Sequence, residues 1–179
     1  MILLIGGSSH VGKTLLSQKL MEKYHWPYLS LDHLKMGLIR RGMTELTVED
    51  DYEMRYFLFP LAAEMIKTAV ENRQNMIVEG CYIPGEWREQ FPEEYLREIR
   101  CVFLVMSEGY LRAHFSEVCS QANIIEHRLS DEPDLERLIR CSDSFREDCR
   151  RFGIPCLEID GEYNIDDIMA RAERLMGLV

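Results

Sequence analysis

The sequence holds no run approaching ~18 consecutive apolar residues, so no membrane span is predicted. It also lacks positive charge. Against 31 acidic residues it sets 21 Lys and Arg, a formal net charge of -10, which argues against a nucleic-acid-binding surface. No basic stretch precedes the apolar opening Met1–Ile5, so no signal peptide is expected. Its cysteines (Cys81, Cys101, Cys119, Cys141, Cys149, Cys156) form no C-x-x-C pair and no regular framework. Reduced thiols in a cytoplasmic protein are therefore the expectation. His114, Cys119 and His127 lie near one another but match no usual zinc spacing. Internal repeats, low-complexity segments and interdomain linkers are missing too, so the 179 residues are read as one domain with room for a sizeable core.

What is there is an alternation of apolar runs and helix-period stretches, the pattern of a parallel α/β sheet. Strands are predicted at 1–5, 27–31, 75–79, 100–106 and 155–159, the second ending at Asp32. Lys13 to His25 reads as a helix with Leu15, Leu16, Leu20 and Met21 on one face. A helix from Asp32 fades at Gly42. Another runs from Thr47 to Asn72, with Thr47 and Asp50 at capping-box-like spacing and a possible bend at Pro60. Short helical pieces follow over 86–98, and Ser107 caps a helix after the fourth strand. A polar stretch over 118–134 has no clear period. Pro133 opens a helix to about Arg151, and Asn164 caps the last one.

Gly7-Ser8-Ser9-His10-Val11-Gly12-Lys13-Thr14 satisfies G-x-x-x-x-G-K-[ST] in full. The glycines let successive backbone N–H groups wrap a phosphate at a helix N-terminus. Lys13 reaches the β- and γ-phosphates in this reading, and the Thr14 hydroxyl ligates Mg²⁺. An apolar strand enters the motif and an amphipathic helix leaves it, the context that the motif requires. The nucleotide-binding set is Gly7 to Leu15: Gly7, Ser8, Ser9, His10, Val11, Gly12, Lys13, Thr14 and Leu15. His10 and Val11 occupy free positions of the motif.

Strands of an open parallel sheet deliver their C-terminal ends to the ligand crevice. Asp32 ends the second strand and is either a proton acceptor for an alcohol or the N-cap of the next helix, roles that are compatible. Glu79 ends the third and is expected to hold water on Mg²⁺. Phosphoryl transfer needs cations around the migrating group. The candidates are Arg112, Arg128, Arg137, Arg140 and Arg146. Of these, Arg137 and Arg140 share a helical face, and Glu132, Asp134 and Glu136 are the acids that could balance them. An acidic protein that binds an anionic nucleotide must concentrate its cations at the site.

With these motifs in place, the chain resembles the P-loop kinases of the nucleoside and nucleotide kinase group over nearly its whole length. The adenylate-kinase-like members share the order strand, P-loop, second strand ending in Asp, third strand ending in acid-Gly, lid and arginine-bearing helix. Glu158-Ile159-Asp160-Gly161 is similar to their closing strand. The resemblance implies a three-layer P-loop NTPase fold with a five-stranded parallel sheet in the order 2-3-1-4-5 and a small lid over about 118–134. It also implies acceptor binding by Lys35, three after the second-strand Asp. Where adenylate kinases read Asp-Gly-Phe-Pro-Arg, this chain reads Glu79-Gly80-Cys81-Tyr82-Ile83, without arginine. Gly6-Gly7-Ser8-Ser9 with Asp32 is similar instead to chloramphenicol phosphotransferase-like enzymes. Val78-Glu79-Gly80 with Pro84-Gly85 looks like 2-phosphoglycerate kinases.

The expectation is an ATP- and Mg²⁺-dependent kinase acting on a hydroxyl of a small-molecule acceptor, as a monomer or small homo-oligomer. Lys13, Asp32, Arg137 and Arg140 are its catalytic candidates; Asp32, Lys35 and Arg40 line its acceptor side; Thr14 and Glu79 serve the metal. One alternative is a nucleoside monophosphate kinase in which Lys35 with Arg40 or Arg41 grips the acceptor phosphate. Another is a regulatory ATPase without an acceptor, against which the absence of N-K-x-D and L-S-G-G-Q motifs counts.

Overall fold

The computed structural model describes residues 1–121 and 134–179. Strand β1 (Ile2–Gly7) is buried along its whole length. That continuous apolar run is what a strand covered on both faces requires. Its alternate side chains separate cleanly. Ile2 and Leu4 enter one core, packed with Leu58, Phe59, Ala62 and Phe145, while Leu3 and Ile5 enter a second core with Leu16, Leu20, Ile168 and Ala172. Strand β4 (Ile99–Met106) divides in the same way, Phe103 and Val105 to the first core and Leu104 and Met106 to the second. Each fully buried Leu, Ile or Phe contributes roughly 1.5–3 kcal/mol, so the sheet and its two helical layers hold one another in place.

The remaining strands are β2 (Tyr28–Ser30), β3 (Met76–Glu79) and β5 (Cys156–Ile159). All pairings are parallel, in the order β2-β3-β1-β4-β5, as the resemblance implied. Helices α1 (Lys13–Tyr24), α5 (Glu108–Gln121, kinked at His114) and α7 (Ile165–Met176) give side chains to the second core. Helices α2 (Leu31–Arg41) and α3 (Asp51–Glu71) serve the first. Helix α6 (Leu135–Phe152) reaches both, through Phe145 and Cys149 to the first and Leu138 and Ile139 to the second. A 3-10 turn (Trp87–Gln90) and the single turn α4 (Glu93–Leu96) link β3 to β4.

Several boundaries differ from expectation. Helix α2 begins one residue before Asp32, so Ser30 is its N-cap residue and Asp32 stands in its first turn. Helix α3 begins four residues after Thr47. The Asp50 carboxylate accepts from the Thr47 amide and hydroxyl at 2.7 and 2.8 Å, which closes a turn ahead of the helix. Pro60 lies inside α3. Residues 118–121 continue α5, so the polar insertion starts later than its composition suggested. Asp134 caps α6 by accepting from the Arg137 amide. The rest of the expected lid, with Arg128, His127 and Pro133, lies outside the described residues. The caps at Ser107 and Asn164 form as expected: Ser107 Oγ accepts from the Tyr110 amide, and Asn164 Oδ1 from those of Asp166 and Asp167. No described helix is long and apolar enough to cross a membrane.

Candidate active site

Gly7 to Gly12 turn from β1 into α1 through three left-handed residues: Gly7 at φ 120°, His10 at φ 64° and Gly12 at φ 87°. Such alternation points neighbouring amides into one concavity. A side chain at Gly7 would run into the Leu104 backbone, its Cβ 2.0 Å from the carbonyl oxygen, so glycine is required there. The Lys13 ammonium donates to the Ser8 carbonyl at 2.6 Å, folding the side chain back over the loop. Ser8 in turn is tied to α6, whose buried Ser142 hydroxyl donates to Ser8 Oγ at 3.0 Å.

Because β1 and β3 pair with Ile5 opposite Glu79, the end of β3 lies beside the start of α1. Thr14 Oγ1 donates to Glu79 Oε1 at 3.3 Å. Two hard oxygen donors thus stand together beside the phosphate loop, and Glu79 is almost fully buried. Among the described residues there is no group of three or more His, Cys, Asp or Glu that could hold a metal alone. One hydroxyl and one carboxylate suit Mg²⁺, which is usually held by one or two protein oxygens together with substrate phosphates and water. The donor set fits that ion.

On α2, Asp32 and Lys35 are three apart and share a face. Lys35 is only 7% exposed; with Lys13 it is one of the two buried lysines among the described residues. Its ammonium donates to Asp51 Oδ1 at 3.1 Å and to the Tyr82 hydroxyl, and Tyr82 donates to the same Asp51 oxygen at 3.0 Å. Arg137, from the first turn of α6, donates to Asp51 Oδ2 at 3.2 Å. Desolvation raises the Tyr82 pKa, with further upward pushes from Cys81, Asp32 and Asp51, so it stays a phenol and a donor. Cys81 feels desolvation first, then Asp32, and against them Lys13; its thiol is pushed up to about 12 and is no nucleophile near neutrality.

No protein-family model matches the sequence, and no curated protein sequence is significantly similar to it. Solved structures do match. One is a gluconokinase from Sinorhizobium meliloti 1021, 18% identical, over 98% of this chain and 91% of that one, with a TM-score of 0.56. Another is a sugar kinase from Janibacter sp. HTCC2649, 16% identical, over 98% and 94%, with a TM-score of 0.58. A third is the shikimate kinase of Aquifex aeolicus, 16% identical, over 99% and 96%, with a TM-score of 0.50. The fold is that of the P-loop kinases.

On this P-loop kinase fold the candidate arginines have different surroundings. Arg112 is held by Glu108 and Glu136 at 2.8 and 3.0 Å. Arg146 is held by Asp143, by Glu158 at 2.7 Å and by the Met106 carbonyl at 3.3 Å, which braces α6 against β5. Both are fastened as structural ties. Arg137 reaches Asp51 on α3, and Arg140 stands exposed one turn further on, with no ion pair among the described residues. Arg40 and Arg41 end α2, exposed. Five residues beyond Lys35, Arg40 is turned about 140° around the helix axis, away from the side that carries Lys35.

Sequence reasoning missed Asp51, Tyr82, Ser142 and Tyr163. Tyr163, between β5 and α7, packs on the phosphate loop so closely that a Cβ at Gly12 would lie 2.1 Å from its hydroxyl oxygen. Desolvation, with a smaller push from Tyr110, raises it to about 12, so it too remains a phenol. Tyr82 carried one signal, its place in the loop where the arginine is missing. Asp51 carried none, because an acid in a first helical turn is ordinary.

Proposed function

We propose that this chain is an ATP-dependent kinase that transfers the γ-phosphoryl group to a hydroxyl of a small-molecule acceptor. The observation that carries the reading is the pairing of Thr14 with Glu79 beside a complete phosphate loop, with Asp32 in the first turn of the helix that leaves the adjacent strand β2. In this reading residues 7–15 hold the triphosphate, with Lys13 on the β- and γ-phosphates. Thr14 would ligate Mg²⁺ and Glu79 would hold water on it; the ion would supply charge neutralisation on the phosphate oxygens.

The acceptor oxygen forms a new bond to the γ-phosphorus while the bond from that phosphorus to the β-bridging oxygen breaks and ADP leaves. The hydroxyl proton goes to the Asp32 carboxylate. Lys13, with Arg140 or Arg137, balances charge on the migrating group. A nucleoside monophosphate acceptor draws no support from Arg40 and Arg41 at the far turn of α2, nor from the Cys81-Tyr82 sequence.

The test is coupled ADP release with a panel of hydroxy compounds and nucleoside monophosphates. Wild type should turn over with a hydroxy compound. Lys13→Ala should abolish turnover, and Asp32→Asn should lose about 10²–10⁴-fold in kcat while binding ATP normally by calorimetry. Unchanged kcat in Asp32→Asn removes Asp32 as the base. Slow hydrolysis that no acceptor accelerates would favour a regulatory ATPase instead.

A further inference from the structure

The Lys35 ammonium, the Tyr82 hydroxyl and the Arg137 guanidinium converge on a single group, the Asp51 carboxylate. We propose that these three donors are the anion subsite of the acceptor and that Asp51 is its built-in competitor. The acceptor is then a small hydroxy compound carrying a carboxylate or phosphate. The inference rests on the kinase reading for the word acceptor, but not for the subsite itself.

The donor inventory drives the argument. Lys and Arg offer only donors, and the Tyr82 hydroxyl spends its proton on Asp51 Oδ1. Asp51 is therefore the one acceptor-only group in the cluster. Any ligand group that takes its place must also present acceptor oxygens, and two cations favour those oxygens charged. Each Asp51 oxygen has its own cation, Oδ1 with Lys35 and Oδ2 with Arg137. A carboxylate or phosphate from outside can reproduce that division.

Position makes Asp51 the member that can leave. Lys35 is buried, and stranding its charge without a partner is costly. Asp51 is the first residue of α3, follows an irregular stretch, and its side chain is 39% exposed. A side-chain rotation returns it to water, where its own charge is well solvated. With Asp51 withdrawn, Lys35 and Arg137 are left as a +2 pair without a counter-charge. Asp32 stands one helical turn, about 5 Å, from Lys35.

A neutral polyol fits the cluster in the opposite sense, with Asp51 itself accepting from the ligand hydroxyls. The two occupants therefore predict opposite effects of one conservative change. Glycerol, glycerate and glycerol 3-phosphate share a skeleton and differ in this one group. Their binding is measured by calorimetry on wild type, Asp51→Asn, Lys35→Met, Arg137→Ala and Lys13→Ala, together with ADP release. Glycerate or glycerol 3-phosphate should bind where glycerol does not, and which of the two binds tells carboxylate from phosphate. Asp51→Asn should tighten that binding about tenfold or more, the scale of releasing one charge-assisted hydrogen bond.

Lys35→Met should abolish anion binding and Arg137→Ala should weaken it, whereas Lys13→Ala should leave it intact, which separates this subsite from the phosphate loop. Arg137 is mostly exposed and Asp51→Asn is nearly isosteric, so both variants remain informative if Lys35→Met fails to fold. Weaker anion binding in Asp51→Asn, preference for glycerol, or no anion binding that depends on Lys35 and Arg137 overturns the proposal. ATP that fails to bind, or ADP release that no acceptor stimulates, overturns the kinase reading and leaves the subsite result standing on its own.

Discussion

Thr14 Oγ1 lies 3.3 Å from Glu79 Oε1, a contact between residues 65 apart in the chain. It exists because β1 and β3 are neighbours in parallel register, which brings the last residue of one strand beside the helix that leaves the other. The pairing joins the hydroxyl of the phosphate-loop motif to an acid that ends a different strand.

Magnesium dependence should report that pairing. Glu79→Gln keeps the size of the side chain and removes its charge, so the Mg²⁺ concentration for half-maximal ADP release should rise about 10–100-fold. Thr14→Val should raise it as well. A magnesium titration that is unchanged in both variants takes the metal role away from this pair.

The arginines of α6 should separate into three behaviours. Arg137→Ala should raise the acceptor KM, because its guanidinium joins Lys35 and Tyr82 on Asp51. Arg140→Ala should lower kcat with little change in KM. Arg146→Ala should lower Tm and leave kcat near wild type, because its partners are Asp143, Glu158 and a backbone carbonyl. Steady-state kinetics alongside thermal melts check all three. Wild-type rates in both Arg137→Ala and Arg140→Ala would place the catalytic cation elsewhere.

Gly12 and Tyr163 give a paired prediction. Gly12→Ala must hold a left-handed residue, which costs roughly 1–2 kcal/mol, and its Cβ meets the Tyr163 hydroxyl. Tm should fall and ATP binding weaken. Adding Tyr163→Phe removes the closest atom and leaves the ring carbon at 3.2 Å, so part of the loss should return. If the double variant is no better than Gly12→Ala, the backbone conformation alone accounts for the damage.

Glu173 ties α7 to α1 and should give the fold an acid-sensitive seam. Its carboxylate is buried, which by itself raises the pKa. Hydrogen bonds from Lys23 at 2.6 and 2.8 Å and from Tyr24 at 2.7 Å, with the Lys23 charge, outweigh that effect, and the folded pKa lies below the usual value of 4.5. A carboxylate with a depressed folded pKa contributes stability above its unfolded pKa and loses it as pH falls through the folded one. Glu173→Gln should therefore lower Tm at neutral pH, and the gap to wild type should close as pH falls through that depressed folded pKa, below 4.5. A gap that persists unchanged in acid would mean that packing, not charge, is what the residue supplies.

Local chemistry made half of this molecule legible in its sequence. The phosphate loop is eight consecutive residues whose glycines, lysine and threonine each have a backbone or ligand reason to be there. The strands and helices could be read because burial between two layers leaves continuous apolar runs in strands and a one-sided period in helices. The caps at Ser107 and Asn164 depend on amides two or three residues away, so they too could be read. The capping pattern at Thr47 misled because the same short-range bonds close a turn as readily as they start a helix.

Tertiary structure alone decided which charges meet. Lys35, Asp51, Tyr82 and Arg137 come from α2, α3, the loop after β3 and α6. Nothing in the sequence around Asp51 or Arg137 distinguishes either from a solvated helix-end charge. Arg146 and Arg137 differ by nine residues on one helix, yet one is fastened to β5 and the other reaches Asp51 on α3, because opposite faces of α6 meet different partners. Side chains far apart in sequence are brought into contact by packing of whole elements, and the energy of that packing is spread over two cores rather than written at the residues that touch.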